Sequence, residues 1–352
     1  MKKVYFLANA YSPHVRQWLH KNKEINIDVE VLTIDIGGPV KLDACTNYIG
    51  LPILRKFKLL QYIYAGFYLR CSRKYNGFLH AHNTSGYGLV AYLSGRDYYI
   101  TTYGSEIYSC DYKNIFYFKM IRMILNKASR VSSTTQKMKS YLVEKLHVSP
   151  NKIFNFSLGV NASFSKPIAT EKKQFIIFSN RRIGELYNTD LIIDGFYEFV
   201  KRVPDANAKL ILLEGDLNPK YADLIYNKID SYGLGASIEF VKGFVAESEL
   251  VECFNRSSCS VSIPKSDQLS SSILESISAG VLPVVSPLSA YDILIESGVV
   301  SVVEDSVANN FEDIYIKFIN SELDDIREKL INFSNDLNQE VKSELEKFYY
   351  ES

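Results

Sequence analysis

Two carboxylates, Asp267 and Glu275, stand eight positions apart in the segment 263–280, and their neighbours set what chemistry they could do. Cys259-Ser260-Val261-Ser262-Ile263 has the length and apolar content of a short buried strand. Ser270, Ser271 and Ser272 read as the opening of a helix that ends near Gly280. Asp267 then falls in the connecting loop and Glu275 inside the helix. A helix N-terminus offers unpaired N–H groups and the positive end of a dipole, which suits a diphosphate, and small serines let it approach closely. Carboxylates accept hydrogen bonds from sugar hydroxyls. An ordinary serine N-cap and a solvated helix glutamate would carry the same residues, so the spacing alone leaves both readings open.

The elements around this segment have a regular rhythm. Strands are expected at 175–178, 209–213, 237–241, 260–263, 283–285 and 299–303, with helices at 191–200, up to Tyr232, 248–255, 271–279 and 290–296. Alternation of this kind predicts an α/β domain, a parallel sheet covered on both faces. The first half repeats the idea, with strands at 4–7, 29–34, 77–81, 98–102 and 130–133 and a helix at 14–22. Between the halves, 159–167 and the polar stretch to Gln174 have the composition of a linker. The predicted fold is therefore α/β with two doubly wound, Rossmann-like domains facing a central cleft, into which the ends of parallel strands would point their loops.

The 352 residues, 47% of them apolar, suffice for two domains with real cores. No apolar run is long enough for a transmembrane helix; the best candidate, Leu59 to Leu69, is interrupted by Gln61. The opening Met1-Lys2-Lys3-Val4-Tyr5-Phe6-Leu7 is too short in its apolar part for a signal peptide and reads as a first strand. Five scattered cysteines (45, 71, 110, 253 and 259) lack disulfide or zinc spacing and fit a reducing cytosol. The net charge of zero hides a polarity. Residues 1–160 hold 22 Lys and Arg against 9 Asp and Glu, and residues 161–352 hold 18 against 31. Much of the basic excess lies in two aromatic-rich segments, 54–74 and 113–130, and in the second Phe116, Met120, Met123 and Ile124 alternate with Lys119, Arg122 and Lys127. A basic amphipathic surface of this kind suits anionic lipid headgroups, and a core-facing helix with a solvated basic back has the same pattern. No nucleic-acid-binding motif accompanies the charge.

Several segments together resemble the retaining glycosyltransferases of GT-B fold grouped as glycosyltransferase family 4. Their Glu-x7-Glu signature is matched by Asp267 and Glu275, and Glu275 to Val285 resembles the following Glu-Ala-Met-Ala-x-Gly-x-Pro-Val-Val with one extra residue before the proline. The resemblance implies that Glu275 binds the nucleotide ribose and Asp267 contacts the donor sugar. In Ser179-Asn180-Arg181-Arg182 the family's diphosphate-binding arginine is matched by Arg182, while Tyr187 stands where a lysine is usual. Lys265 and Lys242 are the candidates for a second cation. Ile238 to Val245 resembles the Phe-x-Gly strand end of the base pocket and implicates Lys242 and Phe244; Asp216 marks the turn usually written Gly-x-Gly. In the first half Phe78-Leu79-His80-Ala81-His82 resembles the strand-end His-x-His, with His82 facing the reacting sugar. Without the family pattern the two histidines would read as packing or as metal ligands. Tyr103-Gly104-Ser105-Glu106 matches His-Gly-Ser-Asp, Gly159-Val160-Asn161 with Phe164 matches the linker signature, and Asn9 and Ala10 with His14 and Arg16 occupy the first strand-helix loop.

The resemblance implies an acceptor-binding domain at 1–165, a nucleotide-sugar-binding domain at 166–335 and a helical tail at 336–352. The expected activity is metal-independent, retaining transfer of a hexosyl-type sugar from a nucleoside diphosphate sugar, UDP favoured, with no other cofactor. The acceptor would be a hydroxyl of a lipid-linked glycan in bacterial surface polysaccharide assembly, such as capsule or lipopolysaccharide. Expected partners are the donor, the glycan acceptor and an anionic membrane surface, not nucleic acid, and the expected location is the cytoplasm, at the inner face of the cell membrane. Two rivals share these residues: a GT-B nucleotide-sugar epimerase, which needs no acceptor, and a non-catalytic nucleotide-sugar-binding protein. The absence of Gly-x-Gly-x-x-Gly after a strand speaks against an oxidoreductase.

Overall fold

The structure of the protein, a computed structural model, describes residues 3–37, 45–160, 163–165, 174–215, 218–243, 245–267 and 269–351. It divides into two compact units, Met1–Leu158 with Gln339–Ser352, and Gly159–Asn338. The boundary expected at 165 lies inside the second unit. Asn161 and Asp216, singled out above, lie outside the described residues.

The first unit is built on seven parallel strands: β1 (Val4–Leu7), β2 (Val29–Thr33), β3 (Thr46–Tyr48), β4 (Phe78–His82), β5 (Tyr98–Thr101), β6 (Arg130–Ser133) and β7 (Ile153–Asn155). Their order is β3-β2-β1-β4-β5-β6-β7. The edge strands β3 and β7 were not expected. Each has three residues, too few for a period of two to register, and each is defined by its pairing with β2 or β6 rather than by its own composition. The helices are α1 (Pro13–Glu24), α2 (Lys58–Cys71), α3 (Tyr87–Ser94), α4 (Ser105–Tyr108), α5 (Ile115–Lys127) and α6 (Gln136–Glu144). Buried residues divide them between the two faces of the sheet. Ala65 and Leu69 of α2, Val90 of α3, Ile121 and Ile124 of α5 and Leu142 of α6 share one core, while Val15 and Trp18 of α1 belong to another.

The second unit repeats the plan with β8 (Ile176–Arg182), β9 (Lys209–Leu213), β10 (Ile238–Val241), β11 (Cys259–Ser262), β12 (Leu282–Val285) and β13 (Ser301–Val302), all parallel, in the order β10-β9-β8-β11-β12-β13. Helices α7 (Thr189–Arg202), α8 (Pro219–Ser231), α9 (Glu247–Arg256), α10 (Ser271–Ser278), α11 (Asp292–Glu296) and α12 (Val307–Ile319) connect and cover the strands. The expected strands and helices fall on these elements with shifted ends. The largest shift is at β8, which runs on to Arg182 past an irregularity: Ser179 pairs with Leu212 and Arg182 with Leu213, so Asn180 and Arg181 are extra residues in the ladder. Such a bulge bends the strand and re-aims its side chains.

A final helix, α13 (Leu323–Tyr350), runs through the segment expected as a helical tail. Leu330 is buried in the core of the second unit, whereas Leu345 and Phe348 are buried in the first, beside Trp18. Arg130 donates to the carbonyls of Lys347 (2.6 Å) and Phe348 (2.7 Å), satisfying acceptors that a helix end leaves open. The end of the chain therefore completes the first domain, and truncating a buried Phe such as Phe348 to Ala costs about 3–5 kcal/mol.

In each sheet the chain order reverses beside the first strand, between β1 and β4 and between β8 and β11. Loops leaving adjacent strands in opposite directions open a crevice at the carboxyl edge, where open α/β sheets bind ligands.

Candidate functional site

The reversal between β8 and β11 collects most of the residues singled out in the second half. Arg181, turned by the bulge, ion-pairs with Asp267 (Nη1 to Oδ2, 3.1 Å), each side chain being 17% exposed. The same Nη1 donates to Ser272 Oγ at 3.0 Å and to Ser270 Oγ, and those two hydroxyls lie 2.8 Å apart. One nitrogen with two N–H groups thus serves three oxygens. The guanidinium also lies over the Tyr187 ring at 4.4 Å, so the tyrosine at the expected lysine position holds the arginine by cation–π attraction. Asp267 is gripped from its other side by the hydroxyl of fully buried Tyr291, 2.9 Å from Oδ2.

Arg182, chosen from the sequence, is not the arginine of this cluster. It is exposed, pairs in the ladder with Leu213, and its Cβ packs on Gly215, where an added Cβ would stand 2.8 Å away. Gly215 has φ +60°, so both conformation and space require glycine in the turn beside Arg182. Sequence reasoning missed Arg181 because two extra residues in a strand leave no mark on composition.

Ser270 is the N-cap residue of α10, but its hydroxyl is engaged by Arg181 and makes no side-chain cap. The first N–H groups of α10 therefore keep their capacity for an anion. Ser271 is the first helical residue and is half-buried. Asn180, the other bulged residue, donates to Ser272 O at 2.8 Å, while its Oδ1 is buried without a partner. Glu275, one turn into the helix, has its carboxyl pushed up to about 7, chiefly by burial, further by the charge of Glu247, and against the opposing pull of Arg181. Glu247 begins α9, and Ser163 donates to it at 2.5 Å. Nothing in the sequence links Glu247 to Glu275.

The cations expected to assist are placed differently. Lys265 is 54% exposed and pairs with Glu185 at 3.2 Å, and its N–H donates to Leu186 O, which ties the loop to the Tyr187 turn. Lys242 is exposed just beyond β10, an edge strand two positions away from the reversal. Phe244 lies outside the described residues.

In the first unit the reversal between β1 and β4 places His82 at the end of β4. Its ring is buried against Phe6 (4.4 Å) and Trp18 (5.3 Å), Nδ1 meets the Tyr103 hydroxyl at 2.8 Å, and Nε2 has no partner. Burial, then the nearby His14, lower its pKa to about 3, so the ring is neutral at physiological pH. Asn83 follows with φ +83°, its Oδ1 accepting from the N–H groups of Ser85 and Gly86, which turns the chain sharply after His82. His80 by contrast spends both nitrogens inside the fold, on Tyr349 (2.6 Å) and Thr101 (2.8 Å). His80 is thus fixed inside the fold by both ring nitrogens, whereas His82 keeps Nε2 unengaged.

Tyr103 also approaches His14, ring to ring at 5.2 Å. Its N–H donates to Glu106 Oε1 at 2.9 Å, and Glu106 Oε2 is buried without a partner, its carboxyl raised by burial. Asn9 is exposed and accepts from the Tyr11 N–H at 2.9 Å, while Ala10 is buried. Among the described residues no group of three or more His, Cys, Asp or Glu could hold a metal ion.

Among curated proteins none matches this sequence. Solved structures match closely in fold at low identity. Anabaena HepE in complex with UDP and glucose superposes with a TM-score of 0.76 at 14% identity, over 98% of this chain and 99% of that one. A glycosyltransferase from Rickettsia africae ESF-5 gives 0.75 at 14% identity, over the whole of both chains. Sucrose-phosphate synthase from Thermosynechococcus elongatus gives 0.78 at 14% identity, over 99% and 98%. The two sheets are thus those of the GT-B fold. Residues 3–135 match the family described as Glycosyl transferase 4-like, and residues 161–336, half of the chain, match Glycosyl transferases group 1. With half of its length matched by that family, the chain belongs to the glycosyl transferases group 1 and is a glycosyltransferase of GT-B fold.

Proposed function

We propose that this glycosyltransferase moves a hexosyl sugar from a UDP-sugar, with retention at the anomeric carbon, to a hydroxyl of a lipid-linked glycan during bacterial surface polysaccharide assembly. The observation that carries the donor half is the cluster of Arg181, Asp267, Ser270 and Ser272 at the start of α10, placed where the sheet order reverses. The UDP and UDP-glucose complexes of Anabaena HepE support uridine as the base.

On this reading the diphosphate sits at the N-terminus of α10, its charge met by the helix N–H groups and by Arg181. Arginine suits the task because it stays charged and offers a planar fork of donors to two phosphate oxygens. Lys265, whose N–H is tied to Leu186 O beside Tyr187, serves as the second cation, released from Glu185 when the donor binds. Asp267, held by Tyr291, receives a donor-sugar hydroxyl, and Glu275 binds the ribose as its carboxylate. As the sugar–phosphate bond breaks, negative charge grows on the diphosphate, and Arg181 stabilises it more than in the ground state. The acceptor hydroxyl attacks the oxocarbenium-like sugar from the face that the diphosphate leaves. Neutral His82 orients a hydroxyl through Nε2 rather than supplying a charge. The reading assigns no step to a metal ion, and no protein nucleophile.

Thermal shift against UDP, GDP and their sugars tests the donor side, since a ligand at ~100 times its Kd stabilises by about 2.7 kcal/mol. UDP should stabilise and GDP should not. Release of UDP from a UDP-sugar should require an acceptor and persist in EDTA. Stabilisation by GDP alone, or donor consumption that no acceptor accelerates, would overturn the proposal.

A further inference from the structure

We propose that the solvent-facing sides of α2 and α5 form a membrane-docking face for anionic lipid bilayers. This rests on the reading of a lipid-linked acceptor, and adds the surface and the residues. Both helices follow a strand of a parallel sheet, so both begin at its carboxyl edge, the edge that carries His82 and Tyr103. Both cover the same face of that sheet, with α3 packed against each.

Their solvent sides are unusual. Every residue from Arg55 to Leu60 is exposed, in the order Arg-Lys-Phe-Lys-Leu-Leu. Phe57 (59% exposed), Leu60 (46%) and Phe67 (49%) follow helical spacing, so α2 carries a second apolar stripe opposite buried Ala65 and Leu69. On α5, Phe116 (78%) and Met123 (44%) lie one heptad apart, opposite buried Ile121 and Leu125, with exposed Lys119 between them. Exposed apolar side chains grouped in this way mark an interaction surface.

The charge selects the occupant. No Asp or Glu occurs between residues 44 and 96 or between 112 and 143, and each stretch carries seven Lys or Arg. Among these cations Lys58 is paired with Asp35, Arg96 donates to the Gly77 carbonyl and Arg130 to the carbonyls at the end of α13. Arg55, Lys56, Lys119 and Arg122 are exposed around the apolar residues. Apolar tips that enter the acyl boundary, ringed by cations that meet headgroup phosphates, complement an anionic leaflet and not a neutral one. Among the described residues no helix is long and apolar enough to cross a membrane.

Flotation with vesicles of phosphatidylcholine, with and without roughly a third phosphatidylglycerol, tests this. The wild type should float with the anionic vesicles, much less with neutral ones, and be released by salt. Phe57→Ser/Leu60→Ser/Phe67→Ser and, separately, Arg55→Glu/Lys56→Glu/Lys119→Glu should each lower partitioning by at least ~10-fold. Both variants should keep the wild-type thermal midpoint and UDP shift, which separates loss of docking from misfolding and from failure of the donor reading. Equal binding to neutral vesicles, wild-type binding by both variants, or a dimer that covers this face and ignores vesicles would overturn the proposal.

Discussion

Replacing Arg181 by alanine removes three polar contacts and the cation–π contact with Tyr187 in one step. The ion pair with Asp267 is only 17% exposed on either side, so water screens it modestly. A hydrogen bond to a charged group is worth about 1.5–3 kcal/mol, and a donor that meets charge developing in the transition state about 2.7–4 kcal/mol. The variant should therefore lose roughly 10²–10³-fold in kcat with a smaller rise in donor KM, because the interaction strengthens as the diphosphate leaves. Arg182→Ala provides the internal control. Its side chain is exposed and packs on Gly215, so kcat/KM should stay within about threefold and stability within about 0.5 kcal/mol. Arg181→Lys keeps the charge and loses the planar fork, and should fall between the two. The assay is UDP release from a UDP-sugar at saturating acceptor, with thermal midpoints measured in parallel. If Arg182→Ala is as damaging as Arg181→Ala was expected to be, and Arg181→Ala stays within threefold of wild type, the bulge argument is refuted.

Tyr291→Phe deletes the hydroxyl that holds Asp267 while leaving the buried ring, so kcat should fall about 5–30-fold at a cost of about 1 kcal/mol in stability; unchanged kcat would show that Asp267 needs no such support. The Glu275 carboxyl, pushed up to about 7, stays protonated when folded at pH values where the unfolded chain has released its proton. Its contribution is complete below about pH 4.3 and is lost as pH rises through 7. The stability difference between wild type and Glu275→Gln should fall over that window and then level, and a flat difference from pH 4 to 8 would remove the basis for a raised pKa. The neutral imidazole of His82, lowered to about 3, contributes in the opposite sense: its stability is complete above about pH 6.5 and is lost as pH falls toward 3. Acid unfolding monitored by circular dichroism should accordingly be shallower in His82→Asn than in the wild type, and equal steepness would mean that His82 is not buried neutral.

The legible part of this protein is the part encoded by local pattern. Apolar runs such as 175–178 and 210–213, spaced by amphipathic helices, specify parallel strands, and the hydrophobic effect leaves a buried strand few alternatives. Asp267, Ser270, Ser272 and Glu275 were legible for the same reason, since a strand-loop-helix junction brings them together within one stretch of chain. What pairing and packing create was not legible. β3 and β7 exist because β2 and β6 offer them edges.

By itself, then, the sequence determined two doubly wound sheets, the junction that carries the acids and serines, and a first half far richer in Lys and Arg than in acids. The tertiary structure alone decided which arginine joins that junction, because the choice between Arg181 and Arg182 depends on a ladder irregularity opposite Leu212 and Leu213. It also decided that Tyr291 grips Asp267 from 24 residues away, and that Phe348 and Tyr349 close the first core from the far end of the chain. These are contacts between segments distant in sequence. Their energies are set by geometry at the meeting point, which no window of residues along the chain records.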